Sequence, residues 1–425
     1  MILKNITVGY YKNLEMISID ISKITALVSI NNYGKSNLME AIRFGFDFIT
    51  ASPRNRKRMM NSSRNMPMVP SLSGKNFYFG VEFDDPDLQE YRHVKYSFEF
   101  MWQNDQKNGA VITDEKLDIN AASDSEKYTS YIKRSEGKFR PSKSNPNFRN
   151  IILSPDNLAV DILASYDDIE INDVIQKIQN LRSTICDTLE LSSSYTPFPI
   201  EFDFMDKPNL FDDDDIPRTL NALRNEHPER FEQFLDTIYQ LFPEFEKVEL
   251  RTYTSVSDNK DSYQDVPFHV KDEIYKLFIK SQYLNQPISM ENMSTGTKRI
   301  IWLVINSFFG SDYGINLIEV DEIETSIHPK MIRVLLESIN EILDDTSMII
   351  SSHSPYLIQY LKPESIYIGI PNEYGTAQFK HIKKSRIKDI LRISHGLGLS
   401  VGEYIFELLS GDEDSIYILN SYMED

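Results

Sequence analysis

The sequence predicts an α/β protein with a mostly parallel core sheet flanked by helices, an antiparallel β subdomain and an inserted helical lobe. The last third of the chain alternates helical and strand patterns, from the helix Ser294–Phe309 to the strand Met348–Ser351. Alternation of this kind is typical of a parallel sheet with helices packed on it. Apolar and polar residues alternate along Phe77–Phe83 and Val94–Trp102, which indicates a half-buried antiparallel sheet.

The helical lobe is predicted between these two regions. Helical spacing of apolar residues runs from about Leu158 to Leu189 and again from Pro217 to Leu241. We therefore expect residues 1–157 to form the N-terminal part of the α/β domain with its antiparallel subdomain. Residues 158–245 would form the inserted lobe, and residues 246–425 the C-terminal part of the α/β domain.

The N-terminal segment predicts a hairpin followed by a strand–turn–helix unit. Ile2–Val8 and Leu14–Ile21 are predicted to be the hairpin strands, and Ile24–Ile30 a third, more continuously apolar strand. The helix Lys35–Ile49 is expected next, since its apolar residues recur at helical spacing. Ala51–Lys75 is rich in Ser, Pro, Asn and Met without a clear period, so we expect a long mobile loop there.

Composition limits the classes of function. The 425 residues include 45 basic and 64 acidic side chains, a formal charge of −19, which opposes nonspecific binding of a polyanion across the whole surface. Cys186 is the single cysteine, so an intrachain disulfide is excluded and a reducing, cytoplasmic location is expected. No apolar run approaches the roughly 18 residues that indicate a membrane span, so we expect no membrane association.

A glycine-lysine turn follows the third strand. The segment Ser29–Ser36 reads SINNYGKS, which is close to the pattern G-x-x-x-x-G-K-[ST] that binds a triphosphate between a strand and a helix. Gly34 would let the backbone approach a phosphate, Lys35 would reach the β and γ phosphates, and the Ser36 hydroxyl would bind Mg²⁺. Ser29 stands where glycine is expected, so we expect some strain or a slightly different path of the turn. The alternative is an ordinary helix N-terminus.

Two further strand ends carry groups suited to phosphate chemistry. The apolar strand Ile315–Val320 is followed by Asp321 and Glu322. Asp321 suits the shell of a magnesium ion, and Glu322 suits a base that orients the attacking water; the alternative is a solvated acidic turn. His353 follows another short apolar strand, where it would hydrogen-bond a γ-phosphate at the carboxyl edge of a parallel sheet. A lone histidine is otherwise usually structural.

A helix start at Asn292–Thr297 is the fourth element of this set. Ser294 is a good N-cap, and the small residues around Gly296 leave backbone N–H groups free for an anion. A simple capped helix explains the same residues, so the segment alone does not decide between the two interpretations.

Together these segments resemble the ABC-type ATPase heads of the SMC, RecF and OLD class. Asn31–Ile42 is similar to that class's phosphate turn and helix, and Asp321–Pro329 resembles its D-E-P-E-x-x-L-H-P motif. Met293–Gly296 resembles the LSxG element, and His353 the switch histidine. The resemblance implies the fold of an ABC-type ATPase head, which binds ATP and Mg²⁺ and hydrolyses ATP. It implies nucleotide contacts from Asn31, Asn32, Gly34, Lys35, Ser36, Asn37, Ser294 and Gly296, metal ligands Ser36 and Asp321, and catalytic residues Glu322 and His353.

The resemblance also implies a head-to-head homodimer, or a higher homo-oligomer, with ATP sandwiched between the heads. Ser294 and Gly296 of one copy would cap the γ-phosphate held by Lys35 of the other. His328 would contact the neighbour's nucleotide or cap the helix that begins near Pro329. Compact heads of this kind pair with a nuclease or toxin in bacterial anti-phage systems, so we expect a separately encoded effector. The first hypothesis is a nucleotide-driven dimerisation switch that senses a trigger and controls this effector.

Two alternatives stay open. Ser29 favours an ATP-bound scaffold with little turnover that sequesters a toxin or nuclease. A DNA-repair or DNA-tethering head would bind nucleic acid through the acid-free segment Ala51–Asn76, and a solvated loop that balances an acidic protein explains this segment as well. The candidate DNA-binding residues are Arg54, Arg56, Lys57 and Arg58.

Overall fold

The computed structural model describes residues 1–30, 33–103, 109–120, 127–143, 145, 147–166, 169–186, 194–196, 200–202, 215–254, 268–270, 272–370 and 374–424. The chain divides into two compact units. The first unit comprises Met1–Ile185, Gly314–Ile323 and Asp344–Asp425, and the second unit comprises Cys186–Tyr313 and Glu324–Leu343. The predicted domain division after residues 157 and 245 remains a prediction.

An antiparallel sheet dominates the N-terminal part of the first unit. Within the described residues, all strands before residue 151 except the third form one sheet in the order β2-β1-β4-β5-β6-β7-β8-β9. The alternating aromatic residues predicted to lie in its core are buried there. The strands are β1 (Ile2–Tyr11), β2 (Leu14–Asp20), β3 (Ile24–Val28), β4 (Phe77–Asp84), β5 (His93–Met101), β6 (Val111–Asn120), β7 (Thr129–Lys133), β8 (Lys138–Phe139) and β9 (Arg149–Asn150).

Helix α1 (Lys35–Thr50) covers one face of this sheet and connects it to the glycine-lysine turn. Gly45 allows the close approach, because a Cβ at that position would lie 1.9 Å from Cδ2 of Phe79. Phe48 of the helix stacks on Phe100 of β5 with the ring centroids 5.0 Å apart. The residues that start α1 therefore stand on a rigid, well-packed element.

The loop expected over Ala51–Lys75 is wrong in part, because helix α2 (Pro53–Met60) forms there. Ser52 caps this helix by accepting a hydrogen bond from the backbone N–H of Asn55, and Pro53 occupies its first position. The sequence gives little indication of this helix, because its buried face carries the charged Arg56 instead of a stripe of apolar residues.

The continuous helical pattern expected over Leu158–Leu189 is interrupted by a strand. The backbone N–H of Arg182 donates to Oδ1 of Asn316 at 2.9 Å, and the backbone N–H of Asn316 donates to the Arg182 carbonyl at 3.0 Å. These tertiary hydrogen bonds bring the segment to the edge of the parallel sheet and override its helical propensity. The elements are α3 (Ala159–Leu163), α4 (Asn172–Gln179) and β10 (Ser183–Cys186).

The second unit combines short antiparallel sheets with helices. The helical stretch expected over Pro217–Leu241 is divided at His227, which precedes Pro228 and has non-helical backbone angles (φ −133°, ψ 67°) because a residue before proline disfavours the helical region. The elements are β11 (Ile200–Phe202), α5 (Ile216–Glu226), α6 (Pro228–Leu241), β12 (Phe245–Thr254), β13 (Phe268–Val270), β14 (Glu273–Ser281), β15 (Ile288–Ser289), α7 (Thr295–Asp312) and α8 (Pro329–Ile342).

A mainly parallel sheet completes the first unit and positions the candidate site. Within the described residues its order is β10-β16-β17-β3-β18-β19, with β16, β17, β3 and β18 paired in parallel. The carboxyl ends of β3, β16 and β17 therefore lie side by side at one edge, each followed by a predicted site segment. The remaining elements are β16 (Leu317–Val320), β17 (Ser347–Ser352), β18 (Ile366–Ile370), β19 (Gln378–Lys380), α9 (Ile387–Leu397), α10 (Val401–Ser410) and α11 (Glu413–Tyr422).

Candidate nucleotide-binding site

The turn after β3 ends in a glycine that the backbone requires. Gly34 has φ 90° and ψ 10°, a left-handed conformation that side chains disfavour. A Cβ at this position would also lie only 2.7 Å from Cβ of Ala377. Glycine is therefore required at position 34, at the N-terminus of α1, both by the backbone conformation and by the lack of space for a side chain. The predicted contacts Asn31 and Asn32 lie outside the described residues.

The Lys35 side chain is folded back over the start of the turn. The residue is 5% exposed, and Nζ donates to the Ser29 carbonyl at 2.9 Å and lies 3.0 Å from Oγ of Ser29. Ser29 is buried and is not among the residues with positive φ, so serine at this position carries no left-handed strain. The ammonium group is therefore held beside the first residue of the turn.

The predicted metal ligands meet at the adjoining strand ends. The Ser36 hydroxyl donates to Oδ2 of Asp321 at 3.2 Å. Ser351, at the end of β17, donates its hydroxyl to Oδ1 of Asp321 and accepts a hydrogen bond from the backbone N–H of Glu322 at 2.9 Å. One serine hydroxyl thus connects both acidic residues, and Glu322 takes a left-handed backbone with φ 47°.

Ser351 is a site residue that the sequence interpretation missed. Its only sequence signal is a polar residue at the end of an otherwise apolar strand, directly before the segment that contains His353. That signal gains meaning from the parallel register, in which Ile350 is paired with Val320, so Ser351 follows level with Asp321.

His353 lies between the lysine and the predicted base. Its Nδ1 is 3.3 Å from Nζ of Lys35, and its Nε2 is 3.7 Å from Oε1 of Glu322. The imidazole therefore contacts a cationic group on one side and faces a carboxylate on the other. The structure brings Lys35, Ser36, Asp321, Glu322 and His353 to one edge of the sheet.

Asn37 is connected to the N-terminal hairpin. Its Nδ2 donates to Oδ1 of Asn13 at 2.8 Å, and its Oδ1 accepts from Nζ of Lys12 at 3.3 Å. Lys12 also forms an ion pair with Glu40 one turn further along α1. These contacts fix the first turns of α1 against the loop between β1 and β2, and they give Asn37 a structural partner beside its predicted nucleotide contact.

A buried glutamate lies on the strand that leads into the acidic turn. Glu319 of β16 is fully buried, and burial raises the pKa of its carboxyl well above its usual range. Both carboxyl oxygens lack a hydrogen-bond partner in the described part of the chain.

The predicted Ser294 element belongs to the second unit. Ser294 is the N-cap of α7, and its Oγ accepts a hydrogen bond from the backbone N–H of Thr297 at 3.1 Å, which confirms the capped helix start. Gly296 is required by space, because a Cβ there would lie 2.4 Å from the Ser326 carbonyl oxygen. His328 caps α8 by accepting from the backbone N–H of Lys330 at 3.3 Å, as one of the two expectations stated.

The basic segment before Asn76 is not a uniform charged surface. Arg56 is 1% exposed and donates to the carbonyls of Phe48 and Ile49 and to the carboxylate of Asp161. Its place in the candidate DNA-binding set is therefore wrong, because the guanidinium is used to join α1, α2 and α3. The exposed members of that set are Arg54, Lys57 and Arg58.

The sequence matches the family model described as AAA ATPase domain over residues 1–358. This match covers most of the chain, and the protein belongs to the AAA ATPase domain family. Among proteins with curated descriptions, none matches the sequence.

Solved SMC head domains have a similar fold. An SMC head bound to the C-winged helix domain of ScpA is 12% identical, covers 91% of this chain and 99% of its own, and superposes with a TM-score of 0.52. The SMC head domain from Thermotoga maritima is 13% identical, covers 90% and 100%, and has a TM-score of 0.44. The first likeness confirms the predicted fold, an ABC-type ATPase head of the SMC kind. Within the described residues, no helix has the length and apolar character to cross a membrane.

Proposed function

We propose that this protein binds and hydrolyses ATP with Mg²⁺ as a nucleotide-driven dimerisation switch. The switch senses a trigger and controls a separate effector in cytoplasmic anti-phage defence. The observation that supports the chemistry best is the convergence of Lys35, Ser36, Asp321, Glu322 and His353 at one sheet edge. Family membership supports nucleotide binding and ATPase activity in general; the roles of individual residues and the defence setting are our proposal.

The residues at this edge fit a magnesium–triphosphate group. The Ser36 hydroxyl and the Asp321 carboxylate, 3.2 Å apart, are the hard oxygen donors that Mg²⁺ takes alongside phosphate oxygens. Lys35 and the backbone N–H groups that follow Gly34 would hold the phosphates, joined by Asn31, Asn32 and Asn37 as the family resemblance implies. When bound, the metal ion supplies charge neutralisation at the β and γ phosphates.

Glu322 and His353 are the residues that would act on the attacking water and on the terminal phosphate. The Glu322 carboxylate is half exposed, at 52%, so water reaches it, and it would accept the proton of the attacking water. His353, between Glu322 and Lys35, would donate a hydrogen bond to the terminal phosphate and register its loss. Ser351 keeps Asp321 and Glu322 in fixed positions during this step.

Dimerisation would complete the site from a second copy. The first turn of α7 presents backbone N–H groups after the Ser294 cap, a position suited to an anion. Ser294 and Gly296 of one copy would cap the γ-phosphate on the other. The similar SMC head is bound to a domain of another protein, ScpA, and by analogy the dimer here would hold or release a separately encoded effector, a nuclease or toxin.

A second candidate function is an ATP-bound scaffold with little turnover. Serine at position 29, where the usual pattern has glycine, favours it, because an altered phosphate turn is expected to slow hydrolysis while ATP stays bound. A DNA-tethering head is supported less, because Arg56 serves the core. The amount of turnover separates the switch from the scaffold.

The test compares wild-type protein with Glu322→Gln and with Glu337→Gln, an exposed glutamate on α8 that pairs with Arg333. Phosphate release and molar mass with ATP and Mg²⁺ are measured for each. We expect Glu322→Gln to lose about 100-fold or more in turnover while it binds ATP and accumulates as a dimer, and Glu337→Gln to match the wild type. Unchanged turnover in Glu322→Gln would refute the switch, and ATP-dependent dimers without wild-type turnover would establish the scaffold.

A further inference from the structure

The hydroxyl of Ser29 has a defined orientation in the glycine-lysine turn. It donates to the Ile30 carbonyl at 2.9 Å and lies 3.0 Å from Nζ of Lys35. Because its proton is directed to Ile30, a lone pair faces the ammonium group, and the contact is a charge-assisted hydrogen bond. The side chain is fully buried, so water does not compete for it. Serine in place of glycine thus adds a partner for the lysine that glycine cannot provide.

The fold makes room for this serine at one specific position. Gly369 of β18 lies beside Ser29, and a Cβ at Gly369 would be 2.8 Å from Cβ of Ser29, 3.0 Å from Cε1 of Phe379 and 3.3 Å from Oγ of Ser29. Gly369 does not have a positive φ, so its backbone conformation does not explain the glycine. The limited space next to Ser29 and Phe379 does explain it. Ser29 and Gly369 are therefore complementary, because the side chain of Ser29 lies where a side chain at position 369 would otherwise be.

The contact conflicts with the role expected of the lysine. An ammonium group has three N–H donors, and besides its two contacts with Ser29, Nζ of Lys35 lies 3.4 Å from the Ile30 carbonyl and 3.3 Å from Nδ1 of His353. If Lys35 keeps the Ser29 carbonyl, which is fixed backbone at 2.9 Å, and reaches an oxygen on each of the β and γ phosphates, all three donors are used. The hydrogen bond to Oγ of Ser29 then competes with the phosphates for one of these donors. Nucleotide binding would have to displace it.

We propose that Ser29 is a positioning residue that holds Lys35 in the nucleotide-free state and so weakens the binding of ATP. This inference rests on the proposed binding of ATP by Lys35. A charge-assisted hydrogen bond that must be broken lowers affinity by about tenfold. We expect Ser29 to change the affinity for ATP and not kcat, because the phosphates take the place of the hydroxyl on Lys35 before hydrolysis begins.

The first test measures the dissociation constant for ATP and the KM and kcat of ATP hydrolysis for wild type and Ser29→Ala, which keeps Cβ and removes Oγ. We expect about tenfold tighter binding and a lower KM with unchanged kcat in Ser29→Ala. A side chain that only filled space would give equal or weaker binding when shortened. Equal or weaker affinity in Ser29→Ala, with ATP bound by the wild type, overturns the inference alone, whereas absence of ATP binding to the wild type overturns the proposed function and this inference together.

The second test needs no nucleotide. Thermal unfolding is measured for Gly369→Ala, Ser29→Gly and the double variant. We expect Gly369→Ala to lower the unfolding midpoint in the presence of Ser29 and to lower it less once Ser29→Gly has removed the closest facing atom, because only the contact with Phe379 at 3.0 Å then remains. An equal loss in both backgrounds would show that the two residues do not share this space and would overturn the complementarity on which the positioning role depends.

Discussion

Ser351→Ala is expected to separate catalysis from nucleotide binding. The variant removes the hydroxyl that donates to Asp321 and accepts from the backbone N–H of Glu322 at 2.9 Å. One of these hydrogen bonds is charge-assisted and one is neutral, so their combined loss costs about 2–4 kcal/mol. Glu322 has φ 47°, a conformation that costs a non-glycine residue about 1–2 kcal/mol, and its backbone N–H loses the partner that holds it there.

A displaced Glu322 would no longer orient water, and a misplacement of about 1 Å costs roughly 100-fold in rate. We therefore expect kcat to fall about 10- to 100-fold in Ser351→Ala, with ATP affinity reduced less. The matched control is Ser347→Ala, a buried serine at the opposite end of the same strand. Phosphate release under saturating ATP is the assay. A kcat for Ser351→Ala within twofold of that for Ser347→Ala would contradict this role of Ser351.

Three further substitutions test other parts of the structure. Arg56→Met should lower the free energy of unfolding in urea by about 2–4 kcal/mol, because it removes the buried guanidinium that pairs with the partly buried Asp161 and donates to two backbone carbonyls. Exposed Lys57→Ala should change it by less than about 0.5 kcal/mol. Burial raises the pKa of the Glu115 carboxyl from 4.5 to about 7. The stability that this group contributes is therefore complete below pH 4.5 and lost as pH rises through 7. Glu115→Gln should remove this pH dependence of the free energy of unfolding, measured between these pH values. Gly296→Ala should lower the unfolding midpoint because its Cβ would meet a carbonyl 2.4 Å away, whereas Gly396→Ala, in open space within α9, should leave it equal or higher.

Local patterns in the sequence were sufficient for much of the fold. The strand Ile24–Val28, the glycine-lysine turn and helix α1 follow from a short apolar run, two special residues and helical spacing, all within one segment. The same holds for the acidic strand end at Asp321 and the cap at Ser294. These signals are local because backbone conformation and capping depend on near neighbours.

Features that depend on distant partners were out of reach of the sequence. Arg56 looks like surface charge until Asp161, far along the chain, supplies its carboxylate. Gly369 looks like an ordinary strand glycine until the pairing of β3 with β18 places Ser29 beside it. The sequence predicts a helix where β10 forms, because the hydrogen bonds that hold this segment at the sheet edge come from the distant Asn316. In each case a tertiary contact decides what the residue does.

The turn after β16, which carries Asp321 and Glu322, contains two residues with a strained backbone. Of the six non-glycine residues with positive φ in the described chain, Glu322 and Ser326 both lie in this turn, with φ of 47° and 63°. The chain passes from the first unit to the second between Ile323 and Glu324. Ser351 holds the first strained residue, and the carbonyl of the second meets Gly296 at the start of α7. Ser351→Ala therefore removes the hydrogen bonds at one end of this turn, whereas Gly296→Ala forces a Cβ against the carbonyl at its other end, so the two variants perturb the strained turn in different ways.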